Sequence, residues 1–362
     1  MHSPFPYDKL PQGLEFYGRS LELELLERAT LHSNNVLIHS KRRMGKSSLI
    51  RHFLDTKKEA ALCIYVDIFD ITSKEDFAKA LLSALSNATK GDLKSTIKKL
   101  TSLFKRVRVE PTIDSETLEY SLKPIVATLS FEEMMEDFFS SIRTLALREK
   151  VIIAIDEFQQ IASITDVRLD AILRKEIQER GNNVSYVFAG SKRHLLTSLF
   201  EYKAPLYEMA THFELQALSF EEIHAYVIQH IEISEEILRY GCERCAFETK
   251  ILQNLFYLLW LQKELPMSRE IVDEAIGEII NAKDASYRLL FDTLGNNQKS
   301  ALKIVGKYKS GFFAQSVLNE YRIKKQTLQS SVDTLFKREL IDKDGEAYFI
   351  PDRTLELWVE RL

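Results

Sequence analysis

Apolar residues recur with two periods along the chain, and their alternation organises the first two hundred positions. Residues 21–30 (LELELLERAT) carry apolar side chains at helical spacing, and residues 35–39 (NVLIH) form a short apolar run of the buried-strand type. Residues 46–56 then read as a helix, 61–69 (ALCIYVDIF) as a strand and 75–87 as a helix. A helical period returns over 131–148, followed by the β-branched run 151–155 (VIIAI), a helix over 170–179 and a strand over 184–189 (VSYVFA). Short apolar strands separated by helices predict a parallel sheet covered on both faces. Residues 104–123 alternate better than they helix, which predicts an inserted β-hairpin.

After about Thr211 the strand signal stops, and the pattern as far as Ala282 is nearly all helical. Shorter helical segments follow at 298–308, 313–321 and 325–338. Residues 340–350 (LIDKDGEAYFI) then set Asp-Gly between apolar flanks, a hairpin signal. Three helices and a β-wing predict a winged helix-turn-helix. The expected architecture is therefore α/β in three parts: a parallel-sheet core over 1–210 containing the hairpin, a helical connector over 211–290, and a winged helix over 291–362.

Composition narrows the class. A chain of 362 residues suggests two or three domains, and 45% apolar with 28% charged residues fits a folded protein. The longest uncharged apolar stretch, 251–262, is shorter than the roughly 20 residues of a membrane helix, so no membrane association is expected. The N-terminus lacks the charged and apolar regions of a secretory signal, and three cysteines make no disulfide framework. A cytoplasmic location follows from these points. The net charge of −4 excludes a uniformly basic coat. From Phe291 onward, however, Lys and Arg outnumber Asp and Glu by two, while the rest of the chain is acidic by six. That asymmetry sets the C-terminal part apart.

The chemistry concentrates at two places. Ser40-Lys41-Arg42-Arg43-Met44-Gly45-Lys46-Ser47 follows a strand and precedes a helix, and apart from Ser40 in place of the first glycine it fits the phosphate-binding loop G-x-x-x-x-G-K-[ST]. In such a loop, backbone N–H groups and the helix start, here including Ser48, face anionic oxygens. Lys46 would place a point charge at the β/γ-phosphates, the Ser47 hydroxyl would ligate Mg²⁺, and Gly45 allows close backbone approach. The second place is the strand 151–157, which ends in Asp-Glu in the manner of a Walker B motif. Asp156 would hold the magnesium and Glu157 would polarise the attacking water as general base.

Weaker signals have plainer readings beside them. Cys242 and Cys245 have metal spacing but sit as a lone pair in a helical region, with His224 and His230 giving no convincing second pair. Residues 322–338 hold Arg322, Lys324, Lys325, Lys337 and Arg338 against Asp333 alone. They suit either a helix in a DNA major groove or a winged helix that docks on protein. Residues 90–108 carry seven basic side chains and one acidic, which reads as a solvated helix face or as a contact for phosphates or an acidic partner.

Phe16-Tyr17-Gly18-Arg19-Ser20, with Glu22 and the loop that follows, resembles the start of the archaeal-type ATPase family, a STAND group of P-loop NTPases close to AAA+. The resemblance implies that Gly18 and Arg19 lie near adenine and that ATP with Mg²⁺ is the ligand. Arg42, Arg43, Gly45, Lys46, Ser47, Ser48 and Leu49 agree with the family loop, and Lys41 replaces its proline. Asp156-Glu157-Phe158-Gln159 resembles the family's D-E-[FI]-Q, and Ser191 stands where a sensor reads the γ-phosphate. Met209 occupies the place of an expected arginine, for which Lys192 or Arg193 could substitute. The implied function is an ATP-hydrolysing conformational switch. The alternatives are a DNA-binding ATPase of the origin-recognition type using Arg322, Lys324 and Lys325, and a non-hydrolysing nucleotide-bound scaffold. An oligomer and a further protein partner are compatible with each.

Overall fold

The computed structural model describes residues 3–89, 102–113, 120–126, 128–191, 193–262, 266–308 and 311–362. They form two compact units, one built from 19–41 and 46–216, the other from 1–18, 42–45 and 217–362. Most of the basic stretch 90–108 lies outside the described residues.

In chain order the first unit runs α1 (Ser20–Leu31), β1 (Val36–His39), α2 (Lys46–Lys57), β2 (Ala61–Asp67), α3 (Lys74–Ala88), β3 (Arg108–Ile113), β4 (Tyr120–Ile125), α4 (Phe131–Ala146), β5 (Lys150–Asp156), α5 (Leu169–Gln178), β6 (Val184–Gly190), α6 (Arg193–Phe200) and β7 (Thr211–Glu214). Five strands form one parallel sheet in the order β2-β5-β6-β1-β7, and β3 pairs antiparallel with β4 as a separate hairpin. Strand β6 is buried along its whole length, Ser185 included, as a strand covered on both faces is. Leu37, Ile64, Ile153 and Phe188 of the sheet share one core with Phe77 and Leu81 of α3 and Phe138 and Ile142 of α4.

Local chemistry sets the element ends. Ser73 caps α3 by accepting the Asp76 N–H, and Ser130 with Glu133 closes a reciprocal capping box on α4. Asn35 ties three chain segments together: its amide donates to Met209 O at 2.7 Å, while its side-chain oxygen accepts the Tyr186 N–H at 3.0 Å. Its backbone oxygen accepts the Thr211 N–H at 2.9 Å.

The second unit continues with α7 (Phe220–Val227), α8 (Glu235–Arg244), α9 (Thr249–Leu261), α10 (Arg269–Asn281), α11 (Asp284–Asp292), α12 (Asn296–Tyr308), α13 (Gln315–Glu320), α14 (Lys325–Lys337), the short hairpin β8 (Asp342–Asp344) and β9 (Ala347–Phe349), and α15 (Arg353–Val359). A single apolar cluster runs through it, from Phe5 and Phe256 to Leu328, Leu335 and Trp358.

Two elements depart from the sequence reading. Thr211–Glu214 is an edge strand, not the start of the helical region; its side chains are mostly exposed, so no apolar run announces it. Helix α15 follows the wing and is capped by Asp352, whose carboxylate accepts the Thr354 and Leu355 N–H groups at 3.0 and 3.3 Å.

The approach to the hairpin hangs on Asp137 of α4, which is fully buried and accepts the Arg106 and Val107 N–H groups at 2.7 and 2.9 Å. Replacing it leaves two backbone donors unpaired, the buried Val107 N–H among them. Asp137→Ala is expected to destabilise the first unit by about 1–3 kcal/mol, read as a lower urea midpoint in circular dichroism. A midpoint shift equal to that of an exposed control, Glu132→Ala, would rule this anchor out.

Candidate functional site

A parallel sheet exposes the C-terminal ends of its strands at one edge, and the candidate residues of the first unit gather there. The end of β1 is joined to that of β6 by the Ser40 N–H, which donates to Gly190 O at 3.4 Å. Ser40 itself is buried, with its hydroxyl lacking a hydrogen-bond partner.

Lys46 opens α2, is buried, and forms an ion pair with Asp156 at the end of β5. Its ammonium also lies 3.3 Å from Glu157. The Ser47 hydroxyl donates to the second Asp156 oxygen at 2.5 Å, and the Tyr65 hydroxyl donates to the same oxygen at 2.8 Å. Burial alone would raise the Asp156 pKa, but the Lys46 charge and hydrogen bonds from Lys46, Ser47 and Tyr65 outweigh it and hold this carboxyl below its ordinary value. The Tyr65 phenol is pushed up, first by burial and then by Asp156; the Arg51 guanidinium lies over its ring at 4.1 Å. Ser47 and Asp156 supply adjacent hard oxygens, a donor set suited to magnesium held through one carboxylate.

Glu157 takes the left-handed conformation (φ 54°), unusual for a residue with a side chain, and leads into a 3₁₀ turn, Phe158–Ser163. Its carboxylate accepts Gln159 Nε2 at 2.5 Å and Ser191 Oγ at 3.2 Å. Lys46, Ser47, Asp156, Glu157 and Ser191 are therefore linked by direct contacts. Tyr65 is the member that the sequence reading did not single out, and Gln159 it named only as the end of a motif, without a role.

Arg19, also of this unit, is buried at the start of α1, where it donates to Glu22 at 2.8 Å and to the Gln216 carbonyl at 2.7 Å. Ser48 is half-buried on α2 and Lys41 is exposed. Met209 packs against the sheet core; Lys192 lies outside the described residues.

Residues 42–45 of the loop belong to the second unit. There Arg42 donates to Glu339 at 2.9 Å, and Arg43 donates to Asp352 and lies 3.8 Å from Glu248. Burial works against the Arg43 charge, but Asp352 and Glu248 outweigh it and raise its pKa. Met44 is half-buried. Gly45 sits at φ 86°, where a side chain would be strained although there is room for a Cβ. At Gly18 (φ 67°) there is no such room: a Cβ would come within 2.8 Å of Leu218.

In the winged region Arg322, Lys324 and Lys325 are exposed at the turn between α13 and α14. With Gln315 and Asn319 they line a groove of about 610 Å³. Cys242 and Cys245 are buried with raised thiol pKa values, burial being the main cause, and among the described residues no three metal-ligating side chains gather. No described helix is long and apolar enough to cross a membrane.

Residues 30–199 match the family model described as an AAA domain, and residues 285–361 match the one described as a probable winged helix domain. The chain has the fold of a P-loop NTPase with a C-terminal winged helix. Its fold is shared with a Walker-type ATPase of Pyrococcus abyssi (TM-score 0.66, 17% identity, 99% of this chain and 100% of that one). The ORC2 protein of Aeropyrum pernix, solved as ADPNP–ADP complexes, is also similar (0.60, 13%, covering 99% and 96%). So is the ORC1 protein of the same organism, solved with DNA (0.52, 14%, covering 99% and 95%). No curated protein matches the chain in sequence.

Beside the winged helix, burial pushes the Glu248 carboxyl up to about 7 against the pull of the Arg353 N–H and Arg43. The folded state thus favours the protonated acid. This contribution to stability is complete below the unfolded value of about 4.3 and is lost as pH rises through about 7. Glu248→Gln should remove that loss, so the stability gap between variant and parent changes by up to roughly 3 kcal/mol between pH 4.5 and 8. Denaturation midpoints across that range measure it; a constant gap would contradict the assignment.

Proposed function

We propose that this chain is a Mg²⁺-dependent ATPase whose nucleotide state drives a conformational switch. The observation that carries the reading is the contact network of Lys46, Ser47, Asp156, Glu157 and Ser191 at the C-terminal edge of the sheet. Lys46 and the loop N–H groups bind the phosphates. Ser47 and Asp156 hold the magnesium, which when bound neutralises charge on the phosphate oxygens. Glu157 takes a proton from the attacking water, and Ser191 orients the terminal phosphate. Gly18 and Arg19 serve the nucleotide's base end.

Two variants separate the parts of this reading. Lys46→Ala should lose ATP binding and turnover together. Glu157→Gln should keep ATP binding within a few-fold while turnover falls by at least about 100-fold, the usual scale of general-base catalysis. Unchanged turnover in Glu157→Gln would favour the non-hydrolysing scaffold.

A second reading, duplex-DNA binding, is favoured by the exposed Arg322, Lys324 and Lys325 around one groove. Binding should be salt-dependent, and Lys324→Ala with Lys325→Ala should lower the salt slope by about 2, roughly 0.9 per phosphate contact. No binding at low salt would leave the winged helix as a protein-docking module.

A further inference from the structure

We propose that Gln159 is the positioning residue for Glu157, and that Gly190 is a glycine because Gln159 needs its space. The inference rests on the ATPase reading above for its catalytic meaning, though its geometry stands by itself. Among the described residues, three side chains donate to or pair with Glu157. Lys46 and Ser191 have other work in the proposed reaction, at the phosphates. Gln159 does not.

Gln159 is only 1% exposed, and its amide nitrogen lies 2.5 Å from the Glu157 carboxylate. Its oxygen, also buried, has no hydrogen-bond partner. An unpaired buried acceptor is costly, on the order of 1–3 kcal/mol. Rotating the amide to seek a better partner would turn the oxygen onto the carboxylate, acceptor against acceptor. The amide is thus committed to the grip on Glu157.

Packing enforces the same orientation from behind. A Cβ built on Gly190 would stand 2.0 Å from the Gln159 oxygen, so any side chain there would push the amide out of its seat. Gly190 directly precedes Ser191, and Gln159 lies two residues after Glu157 on the 3₁₀ turn. The ends of β5 and β6 therefore meet through one neutral amide, which keeps Glu157 oriented when Lys46 and Ser191 turn to phosphate. Glu157 sits in a left-handed backbone, a conformation that persists only where the surrounding structure holds it.

Three full-length variants test this: Gln159→Leu removes the donor at similar volume, Gln159→Glu reverses the attraction, and Gly190→Ala displaces the amide while leaving every polar group intact. All three should lower kcat at least tenfold with KM for ATP within about threefold. A second readout needs no turnover. In nucleotide-free protein labelled with ¹⁵N-glutamine, the Gln159 side-chain NH₂ pair, identified by its loss in Gln159→Leu, should shift in Glu157→Gln and in Gly190→Ala. An NH₂ pair that stays in place in both, or kcat retained in Gln159→Leu and Gly190→Ala, overturns the assignment. Absent turnover in the parent protein would instead count against the ATPase reading, with the NH₂ signals still deciding the role of Gln159.

Discussion

The Lys46–Asp156 ion pair is the constraint around which the sheet's working edge is organised. Both side chains are nearly excluded from solvent, at 6% and 2% exposure. Neither charge could stay there alone, and removing one partner of such a pair typically costs about 3–5 kcal/mol. The pair spans two strands that are not neighbours, because β6 stands between β1 and β5. Hence β6 must end on small residues, Ala189 and Gly190, to let the loop after β1 and the end of β5 converge over it. Asp156 completes its own pairing with Ser47, Tyr65 and the Glu157 N–H, leaving a carboxylate surrounded by donors.

Much of this edge was legible in the sequence, for physical reasons that also explain the gaps. Strands buried on both faces are largely apolar, so β1, β5 and β6 announce themselves, as does the apolar edge strand β2, and the Asp-Glu that ends β5 marks where the sheet meets solvent. Strand β7 needs only one partner, and its exposed Thr-His-Phe-Glu carries no such run. Strand order has no local signature at all. Tyr65 passes for filler within an apolar strand until the parallel register with β5 sets it opposite Ala154, two residues before Asp156 and on the same face. Gln159 has the same history: its meaning depends on a glycine 31 positions away, which only the β5–β6 pairing brings beside it.

The second unit has its own version of the problem. Glu248 and Asp352 are separated by more than a hundred residues and have no motif around them, yet both face Arg43. Tyr287 donates to Asp352 at 3.0 Å and Lys250 N–H donates to the Arg43 carbonyl at 3.3 Å. These contacts hold a non-glycine residue at φ 69°, a conformation that ordinarily costs about 1 kcal/mol or more. The arginine is fixed in both backbone and side chain.

Two cations three residues apart on one loop are therefore each already satisfied by protein carboxylates, Arg43 by Asp352 and Glu248, Lys46 by Asp156 and Glu157. An anion arriving at Lys46 would not meet free positive charge. It must exchange with acids that are held in place, and the net gain is the difference between two strong interactions rather than the whole of one. That difference is set by how firmly each acid is held: Asp156 by three further donors, Ser47, Tyr65 and the Glu157 N–H, and Glu157 by Gln159 and Ser191. An acid held by neutral side chains at a partly exposed position gives way before one that is buried among donors. At Lys46 the exchange would therefore fall on Glu157 first, and Asp156 would keep its place at the end of β5.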